Sequence, residues 1–342
     1  MAENRNGQGR VYHRSAKPRK SASRTFGESA DWSDHEGCEA LYTNRLVDLL
    51  KCLRPGQWAK NLLLLAAPFF AFFDHTARPW DWVHLQETLG MAVVAFVLLS
   101  GAAYVLNDLA DAKADARNPL RKTRPIAARK VSVPAAILLV GLCLGGAAAA
   151  TWQVSRLTNQ CAFLWIAVAY ALLQPFYTFV ARRMGEVAAV VVAVGFVLRA
   201  AAGAAAAEVS LSFWLLLCVF LGALLVALCK RRSVHFLKGM PQPSAADGRI
   251  LDLEIGLVAS ATVSCYALYT CAAETVAKFG TRALLFTLPL VILGVFRFLR
   301  LTYGDHATGT PETAILRDPG MVSILVLWVT ACGVLLRFAA GV

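Results

Sequence analysis

The stretch YVLNDLADAKADARNPLRKTRPIAA, residues 104–128, sets Asn107, Asp108, Asp111 and Asp115 at the end of an apolar run. Arg117, Arg121, Lys122 and Arg124 follow at once. On a helix, residues three and four apart share a face, and Asp108 to Asp115 covers about 10 Å of axis at ~1.5 Å per residue. That length suits carboxylates holding one or two Mg²⁺ ions against a diphosphate, because Mg²⁺ takes oxygen ligands, keeps several waters and uses one or two protein carboxylates beside substrate phosphates. The cations that follow would meet the remaining phosphate oxygens, arginine in bidentate fashion and lysine as a point charge. The competing account is a solvated turn whose charges neutralise one another. Carboxylates sharing one face beside an apolar span are costly unless something uses them, which favours the first account.

Other polar residues interrupt apolar runs in the same way. Arg54, Gln57, Lys60 and Asn61 open one run in RPGQWAKN, Arg199 lies inside another, and Lys230 and Arg231 close a third. An ionisable residue inside a membrane span is a functional candidate by default. Arg199 should face the bundle interior and meet an anion, with Asp108, Asp111 and Glu186 as protein candidates and a lipid phosphate as the substrate candidate. Lys230 and Arg231 can equally be interface anchors that snorkel. A second acidic cluster is poor: Asp247, Asp252 and Glu254 are loosely spaced with no leading Asn, and Glu186 stands alone after Arg182 and Arg183.

The elements that must position these residues follow from composition. Of 342 residues, 57% are hydrophobic and 16% charged, against about 25% charged in a soluble domain. The bilayer is the fitting solvent, and helix the fitting element, because open sheet edges cannot satisfy their backbone groups in hydrocarbon. An all-α polytopic bundle of about nine transmembrane helices is expected, at roughly 59–74, 88–106, 131–153, 157–180, 187–207, 209–229, 255–273, 282–299 and 321–341. Cations crowd alternate loops, which by the positive-inside rule puts the N-terminus in the cytoplasm and the C-terminus outside. The net charge of +12 is thereby spent on orientation, and no aromatic-interleaved basic stripe argues for nucleic acid. Residues 1–40 read as a disordered polar cytoplasmic tail with no signal peptide, ahead of a membrane domain at 41–342. Residues 42–53 read as an amphipathic helix on the membrane surface. The nine cysteines include no CxxC pair and read as small buried hydrophobes, forming neither a disulfide framework nor a zinc site.

Nine spans, an N-D-x-x-D-x-x-x-D motif after the second and basic cytoplasmic loops resemble the UbiA superfamily of membrane prenyltransferases. RPGQWAKNLLLLAAP, YVLNDLADAKADARNPLRKTRPIAA, FVLRAAAGAAAAEVSLSFWLLLCVFLGALLVALCKR and GTPETAILRD look like its decaprenyl-phosphate phosphoribosyltransferase branch. The resemblance implies transfer of phosphoribose from phosphoribosyl diphosphate (PRPP) to a polyprenyl phosphate at the cytoplasmic side of a bacterial inner membrane. The product would be an early intermediate toward a lipid-linked D-arabinose donor, for a cell-envelope glycan or a nodulation factor. It further implies that Asp108, Asp111 and Asp115 hold Mg²⁺ and the donor diphosphate, with Asn107 beside them in the catalytic motif. Arg54, Lys60, Asn61, Arg121, Arg124, Tyr177, Arg199, Lys230 and Arg231 fall on the branch's substrate-binding positions, as does Arg182, where the branch has Lys. Two departures stand out. Ala188 occupies the place of a carboxylate, with Glu186 two residues earlier, and Arg232 and Val234 replace a Tyr and a Glu.

Two other classes compete. An aromatic prenyltransferase would ionise an allylic diphosphate and wants a second acidic cluster. A non-catalytic lipid carrier or transporter would explain the spans but gives no reason for the Asn-Asp-Asp-Asp motif. PRPP, the polyprenyl phosphate and the membrane are the implied partners, and homo-oligomer formation is left open.

Overall fold

The computed structural model describes residues 45–74, 81–119, 121–235, 245–304, 315 and 317–339. The polar tail expected at 1–40 lies outside them. Every regular element among the described residues is helical. A short helix α1, residues 45–52, leaves Leu46, Val47 and Leu50 exposed while Cys52 is buried, the two-faced pattern of a helix lying at an interface. A 3₁₀ segment Pro55–Leu65 runs into α2, Ala66–Ala71. Then come α3 (Trp82–Asp115), α4 (Val133–Thr158), α5 (Ala162–Phe179), α6 (Glu186–Ala206), α7 (Phe213–His235) and α8 (Ala245–Cys271). A short α9 (Ala273–Phe279), a 3₁₀ turn at Ala283–Thr287, α10 (Leu288–Tyr303) and α11 (Pro319–Ala339) complete the chain.

Among the described residues, eight helices, α3 to α8 together with α10 and α11, are long and apolar enough to cross a membrane. The first expected span is different in kind. It is a 3₁₀ run of 11 residues followed by 6 residues of α-helix. At ~2.0 Å per residue for 3₁₀ and ~1.5 Å for α, the pair reaches about 31 Å, close to the ~30 Å hydrocarbon thickness. The tighter winding gives this short polar-tipped segment the reach of a crossing where an α-helix of the same residues would fall short. The second span also differs: α3 carries on through the aspartate motif to Asp115 as one helix.

Sequence neighbours pack as spatial neighbours, α3 on α4, α5 on α6, α6 on α7, α7 on α8 and α10 on α11. The first segment lies against α3 and α6. The reason is visible in α6, where Ala200–Ala206 is almost all alanine around Gly203. Small residues let backbones approach when lipid offers no hydrophobic drive. A Cβ built on Gly203 would sit 1.7 Å from the Leu64 carbonyl oxygen, so only glycine fits there. One core gathers Leu64, Phe96, Val154, Phe163 and Tyr170; another gathers Leu225, Leu228, Ile255 and Phe298.

Candidate functional site

Asp108, Asp111 and Asp115 all lie on the last two turns of α3, yet they do not converge. Residues seven apart on a helix are turned by only ~20°, and Asp108 and Asp115 accordingly share one partner. Arg124 Nη1 donates to Asp108 Oδ1 at 3.0 Å and to Asp115 Oδ2 at 2.6 Å. Asp111 is turned about 60° away (100° per residue) and pairs with Arg182. Among the described residues, no three His, Cys, Asp or Glu side chains stand in metal-holding geometry. The motif keeps the common face that helix spacing gives it, and divides between different guanidinium partners. The donors are nonetheless all oxygen, as Mg²⁺ prefers, and it needs one or two carboxylates, so Asp108 and Asp111 fit the ion by type.

Each arginine is placed by local structure. The loop after α3 is pinned by buried Ile126 and Val131 against Cys52 and Val105, and this seats Arg124 beneath the motif. Arg54 also donates to Asp108. Its backbone is left-handed, with φ 51°, a costly conformation for a non-glycine residue, and its guanidinium lies 5.2 Å from the Tyr104 ring centre. Arg121 is further out, 3.7 Å from Asp115. Arg182 stands on a 3₁₀ turn, Ala181–Arg183. Behind that turn Gly185 has φ +46°, and the Arg231 guanidinium is 3.2 Å from where its Cβ would be. Arg231 donates to Glu186 at 2.7 Å.

Beside this cluster is a cavity of about 190 Å³. Its wall takes Arg54 and Lys60 from the first segment, and Ser100, Tyr104 and Asn107 from α3. Tyr170, Gln174 and Tyr177 come from α5, Phe196 and Arg199 from α6, and Lys230 from α7. The lining therefore holds four cations and no carboxylate. Asn107 Oδ1 accepts from Thr178, which ties α3 to α5 at the cavity rim.

Arg199 is 5% exposed, and its contacts rule out the three protein candidates for the anion it was expected to meet. Nε donates to Asn61 Oδ1 at 3.0 Å, Nη1 to the Gly195 carbonyl at 3.1 Å, and Nη2 to the Tyr170 hydroxyl at 2.5 Å. The guanidinium also lies 4.8 Å from the Tyr170 ring centre and 5.2 Å from that of Phe196. The three proposed acids are engaged elsewhere, Asp108 with Arg54 and Arg124, Asp111 with Arg182, and Glu186 with Arg231. Asn61, expected on the substrate side, is itself buried, and its amide is shared between Arg199 and Ser100. It positions the arginine.

Tyr170, Gln174 and Tyr104 were not among the sequence candidates. The signal was present, since Tyr170, Gln174 and Tyr177 recur at helical spacing on one face of an otherwise apolar helix. Of the loose acidic group, Asp252 is a brace: Arg232 donates to it at 2.7 Å, as does the Tyr303 hydroxyl, also at 2.7 Å. The departure at Arg232 therefore ties α7 to α8 and α10 and has no place in the cavity wall. The eight cysteines among the described residues are free thiols, most of them buried.

The UbiA prenyltransferase family model matches residues 62–317. A decaprenyl-phosphate phosphoribosyltransferase of Mycobacterium tuberculosis is 30% identical over 86% of this chain and 96% of its own. The nodulation protein NoeC of Azorhizobium caulinodans is 37% identical over 28% of this chain and 30% of its own. Among solved structures, a UbiA homolog from Archaeoglobus fulgidus bound to DMAPP and Mg²⁺ superposes with a TM-score of 0.61 at 17% identity, over 85% of this chain and 99% of that one.

Proposed function

Because the chain belongs to the UbiA prenyltransferase family and is an integral membrane transferase, we propose that it moves phosphoribose from PRPP to a polyprenyl phosphate. The observation that carries this reading is the cavity wall of Arg54, Lys60, Arg199 and Lys230 without a carboxylate. In the rival reaction the allylic diphosphate is the one phosphate ligand such a wall would have to hold. Here donor and acceptor are both anionic, with a 5-phosphate and a diphosphate on one and a phosphate on the other. The name of the mycobacterial relative points the same way.

In this reading an oxygen of the lipid phosphate attacks the anomeric carbon of the ribose. A new C–O bond forms as the bond from that carbon to the diphosphate breaks, and diphosphate leaves with the electron pair. Little covalent help is needed; positioning and neutralisation of developing charge supply the rate. Asp108 and Asp111, with Asn107 and Asp115 beside them, would hold Mg²⁺, which when bound neutralises diphosphate charge. Arg54, Arg121, Arg124 and Arg182 would take the donor's phosphate oxygens. Arg199, held by Asn61 and Tyr170, would orient the acceptor phosphate, with Lys60, Tyr177 and Lys230 around it and Arg231 at the mouth. The site would face the cytoplasm of a bacterial inner membrane, with the C-terminus outside. The product would be an early step toward a lipid-linked D-arabinose donor, serving a cell-envelope glycan or a nodulation factor.

The test is a mass spectrum of the lipid after incubation with PRPP, Mg²⁺ and a panel of polyprenyl phosphates. A gain of one phosphoribosyl unit with release of diphosphate is expected. Prenylation of an aromatic acceptor from an allylic diphosphate, with no reaction on PRPP, would replace this reading by its rival.

A further inference from the structure

We propose that Arg54, Arg124 and Arg182 act as exchangeable counter-ions of the aspartate motif, so that a divalent cation and a diphosphate bind there cooperatively, each strengthening the other. The inference rests on the metal–diphosphate reading above and concerns how that site is regulated. Each motif carboxylate is paired with at least one guanidinium, and Asp108 and Asp115 with two each. The side chains of Asp108 and Asp115 are both 3% exposed, while Arg54, Arg124 and Arg182 are 29%, 27% and 36% exposed. The acids are thus fixed in the protein and the cations have water to turn into.

Consider each ligand arriving alone. A divalent cation must displace guanidinium groups from the carboxylates it needs, against its own like charge. A diphosphate must draw the same guanidinium groups away and then face buried carboxylates stripped of their partners, and an uncompensated buried charge is strongly unfavourable. Arriving together, the two ligands keep the charge balanced. Guanidinium groups turn from carboxylate to phosphate oxygen, with the same bidentate geometry available at both, while the metal takes their place at the carboxylates. Coupling between ligands at a shared site is reciprocal, so each should strengthen the other equally.

The experiment uses the purified full-length protein in detergent, Mn²⁺ as probe and inorganic diphosphate, read by electron paramagnetic resonance at fixed free Mn²⁺. Saturating diphosphate should tighten Mn²⁺ binding by about tenfold or more. Arg124→Gln removes one of the two guanidinium partners of Asp108 and the nearer of the two at Asp115, so Mn²⁺ alone should bind more tightly than to the unaltered protein, and the enhancement by diphosphate should shrink. Arg182→Gln, at a more exposed pair, should act in the same direction through Asp111 and serves if the first variant does not fold. Equal Mn²⁺ affinity with and without diphosphate in the unaltered protein overturns the inference, as does failure of both variants to gain affinity for metal alone. No Mn²⁺ binding even with diphosphate overturns the metal–diphosphate reading itself.

Discussion

Asp108 and Arg199 are comparably buried, at 3% and 5% exposure, but their surroundings differ. Asp108 has two guanidinium partners, and Arg199 has only neutral oxygens and aromatic faces. A buried cation without an acid is costly, and an anionic ligand would compensate it. Arg199→Lys keeps the charge and loses the planar fork that reaches Asn61, Gly195 and Tyr170 together. Affinity for polyprenyl phosphate should fall by about tenfold, or ~1.4 kcal/mol, with affinity for PRPP unchanged. Equal losses for both ligands would remove Arg199 from the acceptor side. The aspartates separate differently. Asp111→Asn, at a half-buried pair, should lower turnover by on the order of 10²–10³-fold with an unchanged melting temperature. Asp108→Asn should lower both, because it removes the carboxylate that gathers Arg54 and Arg124, and the loss of hydrogen bonds between charged groups costs about 1–3 kcal/mol. Steady-state rates and thermal melts on the two variants give the comparison.

The element that decides the site is the first crossing. Its 3₁₀ winding begins at Pro55 and brings Lys60 into the cavity wall and Asn61 onto Arg199. One helical turn beyond, Leu64 meets Gly203 of α6, and Gly203 lies four residues beyond Arg199. The backbone contact and the hydrogen bond are therefore one interface. Gly203→Ala would gain ~1 kcal/mol of helix propensity, but the new methyl overlaps the Leu64 carbonyl, and overpacking of this kind costs about 1–3 kcal/mol or more. The variant should melt at a lower temperature in detergent and lose acceptor affinity, because Asn61 is pushed off Arg199. A melting temperature equal to that of the unaltered protein would mean that the interface relaxes without cost.

At the scale of the whole molecule, the ion pairs of Asp108, Asp111, Asp115, Glu186 and Arg231 collect at one end of the bundle. On the orientation proposed above from the cation-rich loops, that end would face the cytoplasm. Cys161 is exposed in the turn between α4 and α5, at the opposite end. A membrane-impermeant maleimide added to intact spheroplasts should label Cys161, and Cys161→Ser should abolish that label as mapped by peptide mass spectrometry. Labelling of this cysteine only in inside-out vesicles would reverse the orientation and place the site outside.

The sequence by itself determined the helical class, the approximate place of the spans and which polar residues interrupt them. Hydropathy over some twenty residues and the scarcity of ionisable groups in hydrocarbon are local properties, readable from a linear chain. Asn107, Asp108, Arg199 and Lys230 stood out for the same reason, as polar residues in apolar company. Pairing was not readable. That Arg124 serves Asp108 and Asp115, that Asp111 goes to Arg182, and that Asn61 holds Arg199 depend on residues up to 138 positions apart. Helix spacing fixes which residues share a face, but the neighbouring helix decides what that face meets. The 3₁₀ form of the first crossing was hidden likewise, since propensity disfavours long 3₁₀ runs. Arg232, a departure in the motif, became a brace once Asp252 and Tyr303 were beside it. Charge in a low-dielectric interior must find a partner, and only the packed structure settles which partner is within reach.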